Sequence, residues 1–149
     1  AARPDVFNHN VETVARLQRA VRPSAGYARS LGVLAAAKAD GLTVKTGFMV
    51  GLGETADEVD GLLADLAGVG VDIVTIGQYL RPTSNHLPVA KWWTPAEFDR
   101  WRRIGVEDLG IAWVEASPFT RASHHAAAAA EGARAALRLQ VADRAAGGR

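Results

Sequence analysis

A chain of 149 residues, 48% of them hydrophobic and 22% charged, is long enough for one domain with a real core. Its 17 basic and 16 acidic side chains are interspersed and leave a formal net charge of +1, so there is no electrostatic ground to expect nucleic acid or an acidic membrane surface as partner. It contains no cysteine, which excludes a disulfide scaffold and any thiolate-held zinc or iron–sulfur site within the chain.

No apolar run approaches the roughly 20 residues of a membrane span. No basic segment followed by a hydrophobic one opens the chain, so a cytoplasmic location without a signal peptide is expected. Residues 1–8 read as a turn leading into a short strand with nothing ahead of it to pair with, which points to sequence upstream. A helix is predicted over 11–21, because Val11, Val14, Leu17 and Val21 recur at helical spacing behind a capping Asn10, and Pro23 closes it. A second helix over 28–40 carries Leu31 and Leu34 and stops at Gly41. Residues 43–50 read as a strand with Val44, Phe48, Met49 and Val50 apolar.

Thr55-Ala56-Asp57-Glu58 is a capping box, and Val59, Leu62, Leu63, Leu66 and Val69 form the apolar stripe of the helix behind it, up to Gly70. Residues 71–76 form a nearly continuous apolar strand, as a parallel sheet covered on both faces requires. A long loop, 80–93, follows. A second capping box, Thr94-Pro95-Ala96-Glu97, opens a helix bearing Phe98, Trp101 and Ile104. Then come a strand at 111–115, a turn at 117–120, an alanine-rich helix from Ser123 and a polar tail. Trp92-Trp93 is an exposed-looking aromatic pair whose default explanation is packing against the last helix. The repeated strand–helix unit predicts an α/β chain with parallel strands and right-handed helical crossovers, forming half a barrel or a small open sheet with uncovered edges.

Chemistry-bearing residues gather where strands end, which is where parallel α/β folds place ligands. In Met49-Val50-Gly51-Leu52-Gly53-Glu54-Thr55 two glycines allow close backbone approach, and the helix start behind them favours an anion. A tight turn that needs glycine for its φ angles accounts for the same pattern. Phe7-Asn8-His9-Asn10-Val11-Glu12-Thr13 clusters polar side chains beyond what one cap requires. Ile76-Gly77-Gln78-Tyr79-Leu80-Arg81-Pro82, followed by Ser84-Asn85-His86, is another polar strand end opening a long loop. In Arg121-Ala122-Ser123-His124-His125-Ala126 the adjacent histidines project in different directions and are poor joint ligands, while Ser123 suits a helix cap. No nucleophile elbow, Walker loop, His-Glu-x-x-His motif or spaced-aspartate loop is present.

Read together, these segments resemble the lipoyl synthase family of radical S-adenosylmethionine enzymes. The resemblance is carried by the run Phe7 to Val14 and by Val21-Arg22-Pro23 with Tyr27, Ser30 and Leu31. It continues in order through Lys45-Thr46-Gly47 leading to Gly51-Leu52-Gly53-Glu54, Thr75-Ile76-Gly77-Gln78-Tyr79-Leu80 and His86-Leu87-Pro88-Val89. Arg121-Ala122-Ser123-His124-His125-Ala126 stands where the family has Arg-Ser-Ser-Tyr-His-Ala, so Ala122 and His124 depart from it. About residues 4 to 130 are covered.

The resemblance implies the C-terminal half of a partial TIM-type (radical SAM) barrel over residues 1–122, followed by an alanine-rich helix and tail over 123–149. It implies S-adenosylmethionine and two 4Fe–4S clusters as cofactors. One cluster cleaves S-adenosylmethionine to a radical that abstracts hydrogen from an octanoyl chain on a carrier lysine, and the other is consumed as the sulfur source. Implied partners are octanoylated lipoyl carrier domains, namely the glycine cleavage H protein and 2-oxoacid dehydrogenase E2, and iron–sulfur cluster donors, with no nucleic acid and no membrane. Gly51, Gly53 and Glu54 are implied at the S-adenosylmethionine site, with Asn10 and Lys45 as contacts to its ribose and amino-acid portions. Ser123 is implied as an oxygen ligand to the auxiliary cluster. The family's cysteine triplets belong to its N-terminal half, so this chain by itself is expected to hold neither cluster and not to catalyse. The alternatives are a non-catalytic module binding octanoylated or lipoylated carrier domains, and a different radical enzyme or metal-free half barrel that binds a nucleotide.

Overall fold

The computed structural model describes residues 6–24 and 26–121. Among them, four strands form one open, all-parallel sheet in sequential order: β1 (Val6–Asn8), β2 (Thr43–Val50), β3 (Ile73–Gln78) and β4 (Trp113–Ala116). The crossovers are helical. A 3-10 turn (Ala15–Leu17), the single-turn α1 (Gln18–Val21) and α2 (Tyr27–Ala39) join β1 to β2. Helix α3 (Ala56–Val69) joins β2 to β3, and α4 (Pro95–Arg103), extended by a π turn (Ile104–Asp108), joins β3 to β4. This is the α/β architecture expected from the strand–helix repeat, with the sheet not closed. The predicted alanine-rich helix, the 123–149 unit and Ser123 lie outside the described residues.

Both capping boxes form. Thr55 Oγ1 accepts Glu58 N at 3.2 Å while Glu58 Oε1 accepts Thr55 N at 3.0 Å, and Thr94 with Glu97 repeats the arrangement at α4. Gly70, at φ 88°, ends α3 in the left-handed region that a side chain disfavours.

Strand alternation sorts the residues by face. Val44, Phe48 and Val50 of β2, Val74 and Ile76 of β3 and Val114 of β4 join Leu34, Leu62, Leu63, Leu66, Phe98 and Trp101 from the helices in the main core. Trp101 sits edge-on to Trp93 and Phe98, with ring centroids 5.0 and 5.4 Å away. Of the aromatic pair 92–93, then, Trp93 packs on α4 while Trp92 is 65% exposed. The other face is mixed. A small apolar cluster of Val6, Ile73, Ala112 and Trp113 lies toward the amino ends of the strands, and Gly47, Thr75 and Glu115 lie in register above it.

The structure departs from the predicted first helix. Residues 11–14 run beside β2: Glu12 N donates to Gly47 O at 3.1 Å, and Met49 N donates to Glu12 O at 2.9 Å. That bridge sets Glu12 at φ 73° and takes the backbone groups a helix would have used. Asn10 is therefore no helix cap, though Val11 and Val14 are buried all the same. Strand β3 lies two residues later than the predicted apolar run because it pairs through Gln78 with Val50, and β4 likewise begins at Trp113. Between β-strands, buried Asp72 accepts Val44 N and Lys38 Nζ, each at 2.8 Å, fixing the start of β3 against β2 and α2.

Candidate cofactor site at the carboxyl ends of the strands

Two hollows open where the strands end, and they share a wall. The first is a cavity of about 270 Å³ lined by Asn10, Glu12, Gly47, Thr75, Gly77 and Arg121, among others. The second is a groove of about 590 Å³, largely apolar, between Ala20, Val21 and Arg22 on one side, Leu52 on another and the loop from Tyr79 to Pro88 on the third. Glu12, Met49 and Leu80 line both.

Glycine lets the groups around the cavity approach closely. A Cβ on Gly47 would stand 2.5 Å from Thr75 Oγ1 and 3.2 Å from Asn10 Oδ1. One on Gly77 would fall on the carbonyl of Thr120, where the chain crosses over the end of β3. Asn10 Oδ1 is buried without a hydrogen-bond partner among the described residues, and lies 3.2 Å from where a Cβ on Gly47 would stand. The Asn10 carbonyl, by contrast, is held by Arg22 Nη1 at 2.6 Å. Glu12 keeps a left-handed φ that a non-glycine residue adopts at a cost, and the bridge to β2 imposes it. Its side chain stands at the junction of cavity and groove.

The β2–α3 turn has an unexpected occupant. The carboxylate of Glu54 lies inside it, with Gly51 N and Gly53 N donating at 2.5 and 3.1 Å and Leu52 N at 3.2 Å. The amides that the glycine pattern offered to a ligand anion are thus taken by the chain's own carboxylate. Gly51 (φ 107°) and Gly53 (φ 117°) supply the geometry for this. A Cβ on Gly51 would meet the Gln78 side chain and stand 2.7 Å from Lys91 O. The long loop is pinned here: Gln78 Nε2 donates to Lys91 O at 2.9 Å, Gln78 Oε1 accepts Trp93 N at 3.1 Å, and Ala90 N donates to Gly51 O at 2.8 Å. Tyr79 Oη ties to Leu87 O at 2.7 Å.

Of the residues singled out in the sequence, Asn10 lines the cavity, and Gly51, Gly53 and Glu54 build the turn beside the groove. Lys45 stands elsewhere. It shares a row with Asn8 and Ile73, one step nearer the amino ends than Gly47, and is 2% exposed. Burial lowers its pKa, and the charge of Glu115 works against that shift. Ser123 lies outside the described residues. Glu12, Leu80 and Arg121 were not singled out individually, and their placement follows from the bridge, the loop course and the crossing at Gly77.

Among the described residues no group of three or more metal-ligating side chains occurs, and no helix is long and apolar enough to cross a membrane. The arrangement defines a class: a parallel strand–helix sheet with hollows at the carboxyl ends of its strands, where folds of this kind place their ligands. No family model matches the chain. It is, however, 56% identical to a lipoyl synthase of Rubrobacter xylanophilus over 135 residues, 89% of this chain and 42% of that protein. It is 53% identical to a chloroplastic lipoyl synthase of Chlamydomonas reinhardtii over 82% of this chain and 29% of that protein. It is also 52% identical to a lipoyl synthase of Chlorobaculum parvum over 85% and 43%, respectively. The chain belongs to the lipoyl synthase family, and it spans less than half the length of these curated relatives.

Proposed function

We propose that this chain supplies the nucleoside-holding part of a lipoyl synthase, an enzyme that inserts two sulfur atoms into octanoyl chains carried on lipoyl domains. The observation that carries the reading is the junction, across Glu12 and Met49, of a cavity edged by Asn10, Thr75 and Arg121 with a groove walled by Val21, Leu52 and Leu80. A nucleoside has that shape of chemistry, a hydroxylated sugar joined to a flat base.

S-adenosylmethionine fits the residues present. The side-chain amide of Asn10 and the carboxylate of Glu12, both lining the cavity, suit ribose hydroxyls, and the groove between Val21, Leu52 and Leu80 suits the base. Gly51, Gly53 and Glu54 shape the turn that forms one wall. Lys45 supports the floor beneath Gly47, with Glu115 as its counter-charge. When bound beside a reduced cluster, S-adenosylmethionine supplies the radical that attacks unactivated C–H bonds. The chain's own contribution is to bind, orient and shield that nucleoside. Neither 4Fe–4S cluster fits this chain alone, since it offers no thiolate. Ser123 is proposed as an oxygen ligand to the auxiliary cluster where cysteine donors are supplied alongside it. Octanoylated carrier domains, such as the glycine cleavage H protein and 2-oxoacid dehydrogenase E2, are the proposed acyl substrates.

The test compares two preparations. A longer protein carrying this chain together with the cysteine triplets, reconstituted anaerobically, is expected to convert an octanoylated carrier domain to its lipoylated form, read by intact mass. The 149-residue chain treated alike is expected to show neither charge-transfer absorbance nor conversion. A stoichiometric cluster on the short chain, or an unchanged carrier with the long one, would overturn the reading.

A further inference from the structure

We propose that Arg16 is a positioning residue for the ligand of the groove, holding the wall that bears Ala20 and Val21 at a fixed distance from Leu52. The proposal rests on the nucleoside reading for its binding arm, and its second arm is independent of any ligand.

Arg16 stands on the 3-10 turn immediately before α1, and its side chain crosses to the β2–α3 turn. Nη2 donates to Gly53 O at 2.8 Å and to Glu58 Oε1 at 2.8 Å, and Nε donates to Glu58 Oε2 at 3.0 Å. Glu58 Oε1 also accepts Thr55 N, so the carboxylate that caps α3 is the one that receives the guanidinium fork. Arg16 therefore grips the turn twice, at its backbone and at the cap behind it.

Each wall has its own local ties, Glu54 within the β2–α3 turn and Gln18 from α1 to the carbonyls of Val11 and Thr13, but Arg16 adds a side-chain tie between the two walls. One wall is α1, a single turn of four residues, far below the length at which a helix holds its own shape. The other is Leu52, hung between two glycines at positive φ. Ala20, Val21 and Leu52 all line the groove. A bidentate tie between these walls presets the groove's width before a ligand arrives, and preorganisation of this kind raises affinity. The pair is exposed, with the Arg16 side chain at 56%, and exposed ion pairs contribute little to global stability. Its loss should therefore register in the groove and leave the fold intact. Lysine is no substitute, because a point charge cannot reproduce the fork.

The experiment uses Arg16→Ala, Arg16→Lys and, as a matched control, Arg100→Ala, which removes the exposed pair between α4 and Asp60 on the far side of α3. Affinity for S-adenosylhomocysteine is measured by calorimetry, amide exchange at Leu52 and Gly53 by NMR, and stability by urea midpoint. Arg16→Ala is expected to weaken binding about tenfold and to speed exchange at both amides by a similar factor. Arg16→Lys should fall between it and the wild type. Arg100→Ala should match the wild type in both readouts, and all three midpoints should stay close together. Binding within about twofold of wild type together with unchanged exchange in Arg16→Ala would overturn the proposal, as would equal losses in Arg100→Ala. If the wild type itself bound no S-adenosylhomocysteine, the nucleoside reading would fall, and the exchange arm would still decide for or against the tie.

Discussion

Trp101→Ala is expected to lower the free energy of unfolding by about 3–5 kcal/mol. The side chain is 1% exposed and is packed edge-on between Trp93 and Phe98. Removing the indole leaves a void bounded on two sides by the rings of Trp93, at the end of the long loop, and of Phe98, on α4 itself. The aromatic pairs add to the area lost. Trp101→Phe makes a sharp comparison. Trp101 Nε1 has no hydrogen-bond partner among the described residues, so the change to phenylalanine costs packing alone, roughly 1–2 kcal/mol. Urea denaturation of the three proteins, with equal slopes, measures both. A Trp101→Ala loss below that of Trp101→Phe would contradict the packing described for α4.

Glu54→Ala is expected to cost about 2–4 kcal/mol, from donors left without an acceptor at about 1–3 kcal/mol apiece. Gly51 and Leu52 are buried and Gly53 is exposed, so the first two amides carry the loss while water reaches the third. Glutamine should recover less than half of it. A carboxamide keeps one acceptor oxygen and turns an NH₂ group toward amides that already donate. The turn shapes the groove wall at Leu52, so ligand affinity should fall alongside stability in both variants. Chemical denaturation reads the first quantity, and a loss under about 0.5 kcal/mol in Glu54→Ala would show that the carboxylate is not the turn's internal acceptor.

How far the fold could be read in advance depended on how local its causes are. The two capping boxes at Thr55 and Thr94 are written within four residues each, and both helices begin where those boxes place them. Strand β2 is bounded by Gly41 and Gly51 and was equally legible. The first crossover was not. Val11, Val14, Leu17 and Val21 do recur at helical spacing, but Val11 and Val14 are buried because residues 11–14 lie along β2, a contact made with Gly47 and Met49 some 35 residues away in sequence. Tertiary pairing overrode the periodicity there. Strand β3 was displaced for a related reason: Thr75, Gly77 and Gln78 look unlike a buried strand until their neighbours across the sheet are known.

The site followed the same rule. That Asn10, Gly51 and Gln78 gather at strand ends was visible from the order of elements. Which atoms face the hollow was not, because strand register decides it. Lys45 is two residues from Gly47 on the same face, yet register sets it beside Asn8 and Ile73, below the cavity. Glu54 follows the glycines as a ligand-binding acid would, yet its carboxylate turns back onto the preceding amides. A spacing pattern does not separate those two directions.

The central claim is that the cavity and the groove form one site for S-adenosylmethionine, joined at Glu12. Calorimetric titration of the 149-residue chain with S-adenosylhomocysteine, repeated on Asn10→Ala and Glu12→Gly, tests it most directly. Glycine at position 12 relieves the left-handed strain while removing the carboxylate, so the variant should fold at least as well as the parent. The account predicts one saturable site in the parent, weakened about tenfold or more in each variant, with no comparable affinity for homocysteine alone. Binding that ignored both substitutions, or that the homocysteine moiety reproduced by itself, would contradict it.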